Sequence, residues 1–183
     1  MKVDLSTKRL RLHEFTPEME SHIHEYAIDA EVVRFQPWGP NTPADTKAFL
    51  AAAIAYQTEQ PRKTYELAVS TLDGRHIGGA RIGIQSVTNG SADLGYTLRR
   101  DAWGQGYGTE LARALLEFGF RELGLHRIWA TTDTENIASQ RVLEKCGMRR
   151  EGLLRENLLV RGAWRSSLLY SVLAHEHRQS AAR

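Results

Sequence analysis

Apolar positions along the chain change their period several times, and each change marks an element. From Arg9 to Phe15, Leu10 and Leu12 alternate with polar residues, the two-residue period of a half-buried strand. Pro17 to Ala30 reads as a helix, with Pro17 placed in its first turn. Pro43 to Gln60 is also helical and carries Ala48, Ala51, Ala52 and Ala55. Thr64 to Thr71 and Arg75 to Ile84 are expected to form a hairpin, because Asp73-Gly74 suits a tight turn that needs positive φ. Ser91 to Leu98 is a further strand. Glu110 to Arg121 returns to the helical period, with Leu111, Leu115 and Phe118 on one stripe. Arg127 to Thr132 reads as a short buried strand and Asn136 to Cys146 as a helix closed by Gly147. Two last strands, Arg149 to Val160 and Trp164 to Leu173, complete a mixed α/β pattern.

Composition narrows the class. A chain of 183 residues suits a single domain over 1–183, and 42% hydrophobic with 25% charged residues is ordinary for a soluble globular protein. A net charge of +2 makes no case for nucleic-acid binding. No apolar run approaches a membrane span, and Met1-Lys2-Val3-Asp4 lacks the apolar core of a signal peptide. The single cysteine, Cys146, precludes an internal disulfide framework. The expectation is a cytoplasmic protein, monomer or homodimer, without membrane or nucleic-acid partners.

Chemistry enters at Trp103-Gly104-Gln105-Gly106-Tyr107-Gly108-Thr109, three alternate glycines between a strand and a helix. Without β-carbons, successive amides can approach an anion, and the positive end of the helix dipole reinforces them. The alternative is a plain strand-to-helix turn. The loop lacks the Gly-Lys-Ser/Thr ending of a P-loop, and Thr109 stands where a dinucleotide fingerprint needs its third glycine.

The chain resembles the GNAT acetyltransferases, and within them the RimJ/RimL-type branch, which acetylates protein N-termini and various small amines. Gly106 and Gly108 match the last anchors of the family's Gln/Arg-x-x-Gly-x-Gly/Ala loop; Trp103 departs from the first anchor but fits the branch. Asn136-Ile137-Ala138-Ser139 through Gly147-Met148 resembles a second branch segment, and Thr7-Lys8-Arg9-Leu10-Arg11-Leu12-His13 resembles its start, apart from His13. The resemblance implies a GNAT fold: a central, mostly antiparallel twisted sheet of about 6–7 strands, flanked by about 4 helices, with a splayed strand ahead of the glycine loop. It also implies acetyl-CoA as co-substrate, no metal, and a small-molecule amine or protein N-terminus as acceptor.

Four chemical needs then distribute the candidates. By resemblance, Gly104, Gln105, Gly106, Tyr107, Gly108 and Thr109 wrap the pyrophosphate of coenzyme A. Arg99 and Arg100 flank the loop and either meet phosphate charge or form a solvated strand end. The thioester oxygen is expected to take a main-chain amide near Thr97 or Leu98, a kind of donor whose loss costs about two to three powers of ten in rate. A lysine-like amine, with a pKa of about 10.4, must lose a proton. Asp93 ranks first as its base, ahead of Glu14 and His13, against the alternatives of a capped strand edge and a water relay. By resemblance Ser139 lies beside the sulfur and Asn136 bonds the pantetheine arm, although Asn136 is also a natural N-cap and Ser139 is able to bond the backbone.

Phe35 and Trp38, in a loop stiffened by Pro37 and Pro40, either wall an acceptor pocket or plug a helix pair onto the core. His22-x-His24 and His175-x-His177 point apart on a helix, so no metal site is expected. Cys146 reads as buried and inert. The branch often carries an acid at the position of Ser166, and its absence leaves room for a different acceptor. A member that only binds coenzyme A, as a sensor or partner module, is the rival to an active N-acetyltransferase.

Overall fold

The computed structural model describes residues 2–181. Its strands are β1 (Asp4–Ser6), β2 (Leu10–Glu14), β3 (Thr64–Thr71), β4 (His76–Ser86), β5 (Ser91–Leu98), β6 (Arg127–Asp133), β7 (Arg149–Val160) and β8 (Ala163–Leu173). The α-helices are α1 (Glu20–Ala27), α2 (Pro43–Tyr56), α3 (Tyr107–Glu117), α4 (Ile137–Lys145) and α5 (Ala174–Ala181). The eight strands exceed the six or seven expected because β1, at 3 residues, is too short to display a period. Helix α5 was likewise not anticipated.

Helix α3 begins at Tyr107, three residues ahead of the expected Glu110, because Gly106 already stands in the left-handed region (φ 80°) and serves as N-cap. It ends at Glu117 in a wider π turn, Phe118–Glu122. That turn lets Gly119 press on the sheet: a β-carbon there would lie 2.5 Å from Ile128 Cδ1 and 2.8 Å from Ile82 Cδ1.

The sheet runs β1-β2-β3-β4-β5-β6-β8-β7. All neighbours are antiparallel except β5 and β6. This parallel pair holds only from Ser91↔Arg127 to Asp93↔Trp129. Beyond that point β5 stays with β4 as far as Gly78↔Leu98, while β6 stays with β8 as far as Asp133↔Ser167. A gap therefore opens in the middle of the sheet.

Alternation along the strands gives each face its own core. On one face Leu111, Leu115 and Leu116 of α3 and Leu143 of α4 pack with Leu67, Ile82, Leu94 and Ile128. On the other, Ile23 and Tyr26 of α1 and Leu50 and Ala53 of α2 pack with Phe15 and Ala68. Burying such aliphatic side chains stabilises the fold by about 1.5–3 kcal/mol each. The gap thus has a glycine-loop side, under α3 and α4, and an opposite side under α1 and α2.

Candidate active site

The glycine loop is built as an anion cradle. Gly104 (φ 73°) and Gly106 (φ 80°) both take the left-handed conformation that L side chains resist. Glu110 N donates to Gly106 O at 3.2 Å, the first helical bond of α3, so the amides of Tyr107, Gly108 and Thr109 have no partner within the helix. Space above Gly104 is open to at least 4 Å, and a β-carbon at Gly106 would meet only Arg9, 3.4 Å away. Gly108 is needed for packing as well: a β-carbon there would contact Val142 at 3.4 Å and Tyr96 at 3.7 Å. Gln105 secures the loop by donating its side-chain amide to Asp101 O at 2.8 Å.

Arg9, which the sequence offered only as part of a start motif, braces this cradle. It donates to Gln105 O at 2.9 Å, pairs with Glu110 at 2.7 Å and lies 4.6 Å over the Tyr107 ring. Arg99 and Arg100, by contrast, turn away to α1 and the turn that follows it. Arg99 pairs with Glu25 and Arg100 with Asp29, so both positive charges are already met by carboxylates on the far side of the gap.

The free strand edge of β5 faces the gap. Arg99 N donates to Ile77 O at 2.9 Å, and with the Gly79↔Thr97 register this turns the Thr97 amide toward β4. The amides of Tyr96 and Leu98 point the other way. Consistently, Leu98 O is free to accept Trp103 Nε1 at 2.8 Å. Of the two amides expected to polarise a thioester, the structure commits that of Thr97 to the sheet and leaves that of Leu98 facing the gap. The close fit of β4 and β5 here depends on Gly78, where a β-carbon would overlap the Thr97 carbonyl oxygen.

Across the gap, Asn136 Oδ1 accepts from Ser139 N at 3.1 Å and caps α4. Capping uses the amide oxygen and leaves the NH₂ able to donate, so both readings of Asn136 are compatible. Tyr96 is directed at Ser139 from β5, but its buried hydroxyl closes no hydrogen bond. Burial pushes this phenol up to about 12, so it remains protonated. An unpartnered buried hydroxyl between the cradle and the gap fits a ligand that passes there. Nothing in the sequence singled Tyr96 out. Cys146 is buried, contacts Thr109 O at 3.6 Å and is pushed up to about 11, a protonated and unreactive thiol.

On the α1/α2 side the strand register lays three rows across β3, β4 and β5, two of them carrying charged residues. They are Thr64–Gly83–Asp93, Glu66–Arg81–Gly95 and Ala68–Gly79–Thr97. Asp93 closes the β5–β6 pairing at the base of the gap, and both of its oxygens are occupied, one by Arg81 and one by Gln85. The other expected bases are also engaged. Glu14 is buried with Arg62, 2.7 Å away, and accepts Val3 N; His13 meets Ser70 Oγ at 3.1 Å, and burial lowers its pKa. Glu66 differs. Its side chain is 14% exposed and its one ion pair among the described residues is a loose contact with Arg81 Nε at 3.2 Å. Burial pushes its carboxyl up to about 7, with Arg81 opposing and Asp93 reinforcing the shift. A charged residue between Tyr65 and Leu67 in an otherwise apolar strand was the available signal.

Phe35 and Trp38 belong to neither core cluster, and Trp38 is 37% exposed. Their loop is held by Arg161 at the tip of the β7–β8 hairpin, which donates to the carbonyls of Val33, Arg34, Gln36, Trp38 and Gly39 at 2.8–3.3 Å. Ser166, where the branch often has an acid, accepts Glu156 N at 3.0 Å and supports an irregularity in β7. Among the described residues no group of three or more His, Cys, Asp or Glu is placed to hold a metal ion. No helix among them is long and apolar enough to cross a membrane.

Residues 9–149 match the Acetyltransferase (GNAT) domain family. The chain is 32% identical over 172 residues to "Uncharacterized N-acetyltransferase YnaD" of Bacillus subtilis (strain 168), covering 94% of this chain and 98% of the relative. Its fold superposes on a GNAT-family acetyltransferase from Bacillus anthracis with a TM-score of 0.84 at 28% identity, over 94% of this chain and 99% of the other. Mycobacterium smegmatis RimJ, solved in complex with CoA-disulfide, matches with a TM-score of 0.79 at 27% identity, over 94% and 88% of the two chains. The chain therefore belongs to the GNAT acetyltransferase family, as an N-acetyltransferase with acetyl-CoA as its acyl donor.

Proposed function

We propose that the protein transfers the acetyl group to a primary amine, a protein N-terminus or a small-molecule amine, by direct attack on the thioester. The observation that carries this reading is the gap between β5 and β6, with an amide cradle on one side and a carboxylate-bearing, glycine-floored face on the other. Gly104 to Thr109 hold the pyrophosphate through backbone amides, and the Asn136 NH₂ donates to the pantetheine arm. The Leu98 amide stabilises negative charge on the acetyl oxygen, worth about 3–4 kcal/mol for such a preorganised donor. Ser139, with Tyr96 beside it, donates to the departing sulfur. Phe35 and Trp38 wall the acceptor side, and Asp93 lies at the base of the gap, where it anchors Arg81.

Release of free coenzyme A from acetyl-CoA, followed across a panel of peptides and small amines, tests the reading. Turnover with at least one amine is the expected result. Tight binding of acetyl-CoA without turnover on any acceptor overturns it and favours a coenzyme A-binding module.

A further inference from the structure

The face of the sheet opposite the glycine loop carries one acidic group that the known chemistry has not used. Resting on the acetyl-transfer reading above, we propose that Glu66 takes the proton from the acceptor ammonium, while Arg81, shared with Asp93, holds it in place.

Three observations support this. First, Glu66, Arg81 and Gly95 form one cross-strand row that runs from β3 to the edge of the gap. Gly95 has nothing within 4 Å of where a β-carbon would stand, so the row ends in open space beside the free edge of β5. Second, the rival bases are spent. Asp93 accepts from Arg81 and Gln85, Glu14 from Arg62 and Val3, and His13 is tied to Ser70. Asp93 and Glu14 each have a closer guanidinium contact than Glu66 does, and both ring nitrogens of His13 are engaged, by Ser70 and by the Glu14 carbonyl. Glu66 keeps an oxygen free, because Arg81 gives its close contact to Asp93 and leaves only a 3.2 Å approach for Glu66. Third, the carboxyl of Glu66 titrates at about 7, near the working pH that favours a general base. The groups facing it are Arg81 from β4, Asp93 from β5 and the buried Tyr26 from α1.

The step balances as follows. One proton of the ammonium passes to Glu66 and frees the nitrogen lone pair. Nitrogen attacks the thioester carbon, the N–C bond forms, and the C–S bond breaks with its electron pair going to sulfur. The second proton, lost as the amide forms, goes to that sulfur, and Glu66 returns its proton to solvent.

The test is Glu66→Gln, compared with wild type on an amine from the panel that wild type acetylates. The expected loss in kcat/KM at pH 7 is about 10²–10³-fold. The limb that falls below pH 7 in the wild-type profile should vanish, with acetyl-CoA affinity retained and the melting temperature retained or raised. Independently of turnover, the carboxyl carbon of ¹³C-labelled Glu66 should titrate near pH 7 and disappear from the spectrum of the variant. Asp93→Asn should shift that titration downward, because Arg81 is released to Glu66 and a repelling charge is removed. A titration at about 4.3, the ordinary glutamate value, overturns the assignment, as does a Gln variant of wild-type rate. If instead wild type acetylates no amine, acetyl transfer itself fails and the role of Glu66 fails with it.

Discussion

Gly78 is the residue on which the shape of the gap depends most directly. A β-carbon there would overlap the carbonyl oxygen of Thr97, a backbone atom that moves only if the end of β5 moves. Gly78→Ala is therefore expected to lower turnover at least tenfold and to cost roughly 1–3 kcal/mol of stability, read from steady-state kinetics and urea unfolding. Tyr96→Phe should behave in the opposite sense. Its buried hydroxyl faces Ser139 without closing a well-formed hydrogen bond, so its removal forfeits little and the melting temperature should hold within a few degrees. If the hydroxyl serves the bound acyl donor, acetyl-CoA affinity or turnover should fall about tenfold; unchanged values for both would exclude that service. Much at this scale was legible: the glycines, Asn136 and Cys146 are where their local pattern puts them. The direction of an amide is different. Thr97 and Leu98 are neighbours in sequence, and only the register with β4 decides which of them faces the gap.

At the scale of elements, β3, β5 and β7 keep the boundaries that their apolar period implies, whereas β1 and α5 carried no period to read. The contact of α1 with β4 was also invisible, because it includes His76, a residue type that sequence cannot place inside or outside. His76 is 7% exposed, packs 5.9 Å from Tyr26 and 6.0 Å from His22 of α1, and neither ring nitrogen finds a partner. Burial, helped by His22, His13 and Arg99 and opposed by Glu25, lowers its pKa to about 4. The unfolded chain takes up this proton near pH 6.5 and the native chain does not, so the neutral ring's contribution is present above 6.5 and lost as pH falls toward 4. The loss amounts to on the order of 3 kcal/mol. Glu66 works in reverse: its folded pKa lies above the unfolded one, so it favours the native state at low pH and loses that contribution as pH rises through about 7. The informative quantity is thus the difference between wild type and His76→Leu. Unfolding free energies measured from pH 7 to 4 should fall more steeply for wild type; parallel curves would place the histidine outside the core.

For the whole molecule, the α/β class and the glycine turn into α3 were readable because they are local, but the order β6-β8-β7 and the split between β5 and β6 are not. The split requires β5 and β6, joined through α3, to be parallel neighbours for three residues only. That is a tertiary property with no local signature. The same holds for the clamp made by Arg161, which reaches a loop up to 128 residues earlier in the chain. Arg161 takes φ 49° next to Gly162 at φ 80°, a left-handed pair at the tip of the hairpin. The strain of a non-glycine residue there, of order 1–3 kcal/mol, is offset by its contacts to five carbonyls. Arg161→Ala should raise the acceptor KM several-fold while acetyl-CoA affinity stays unchanged; an equal effect on both substrates would contradict a clamp confined to the acceptor wall. The loop that carries Phe35 and Trp38 is therefore held not only by its own segment but by a finger from the β7–β8 hairpin. On the proposed assignment of Phe35 and Trp38 to the acceptor side, donor chemistry and acceptor choice are separately editable. A library confined to the exposed hairpin tip is a route to retargeting the enzyme, with every residue of the acetyl-CoA cradle left as it is.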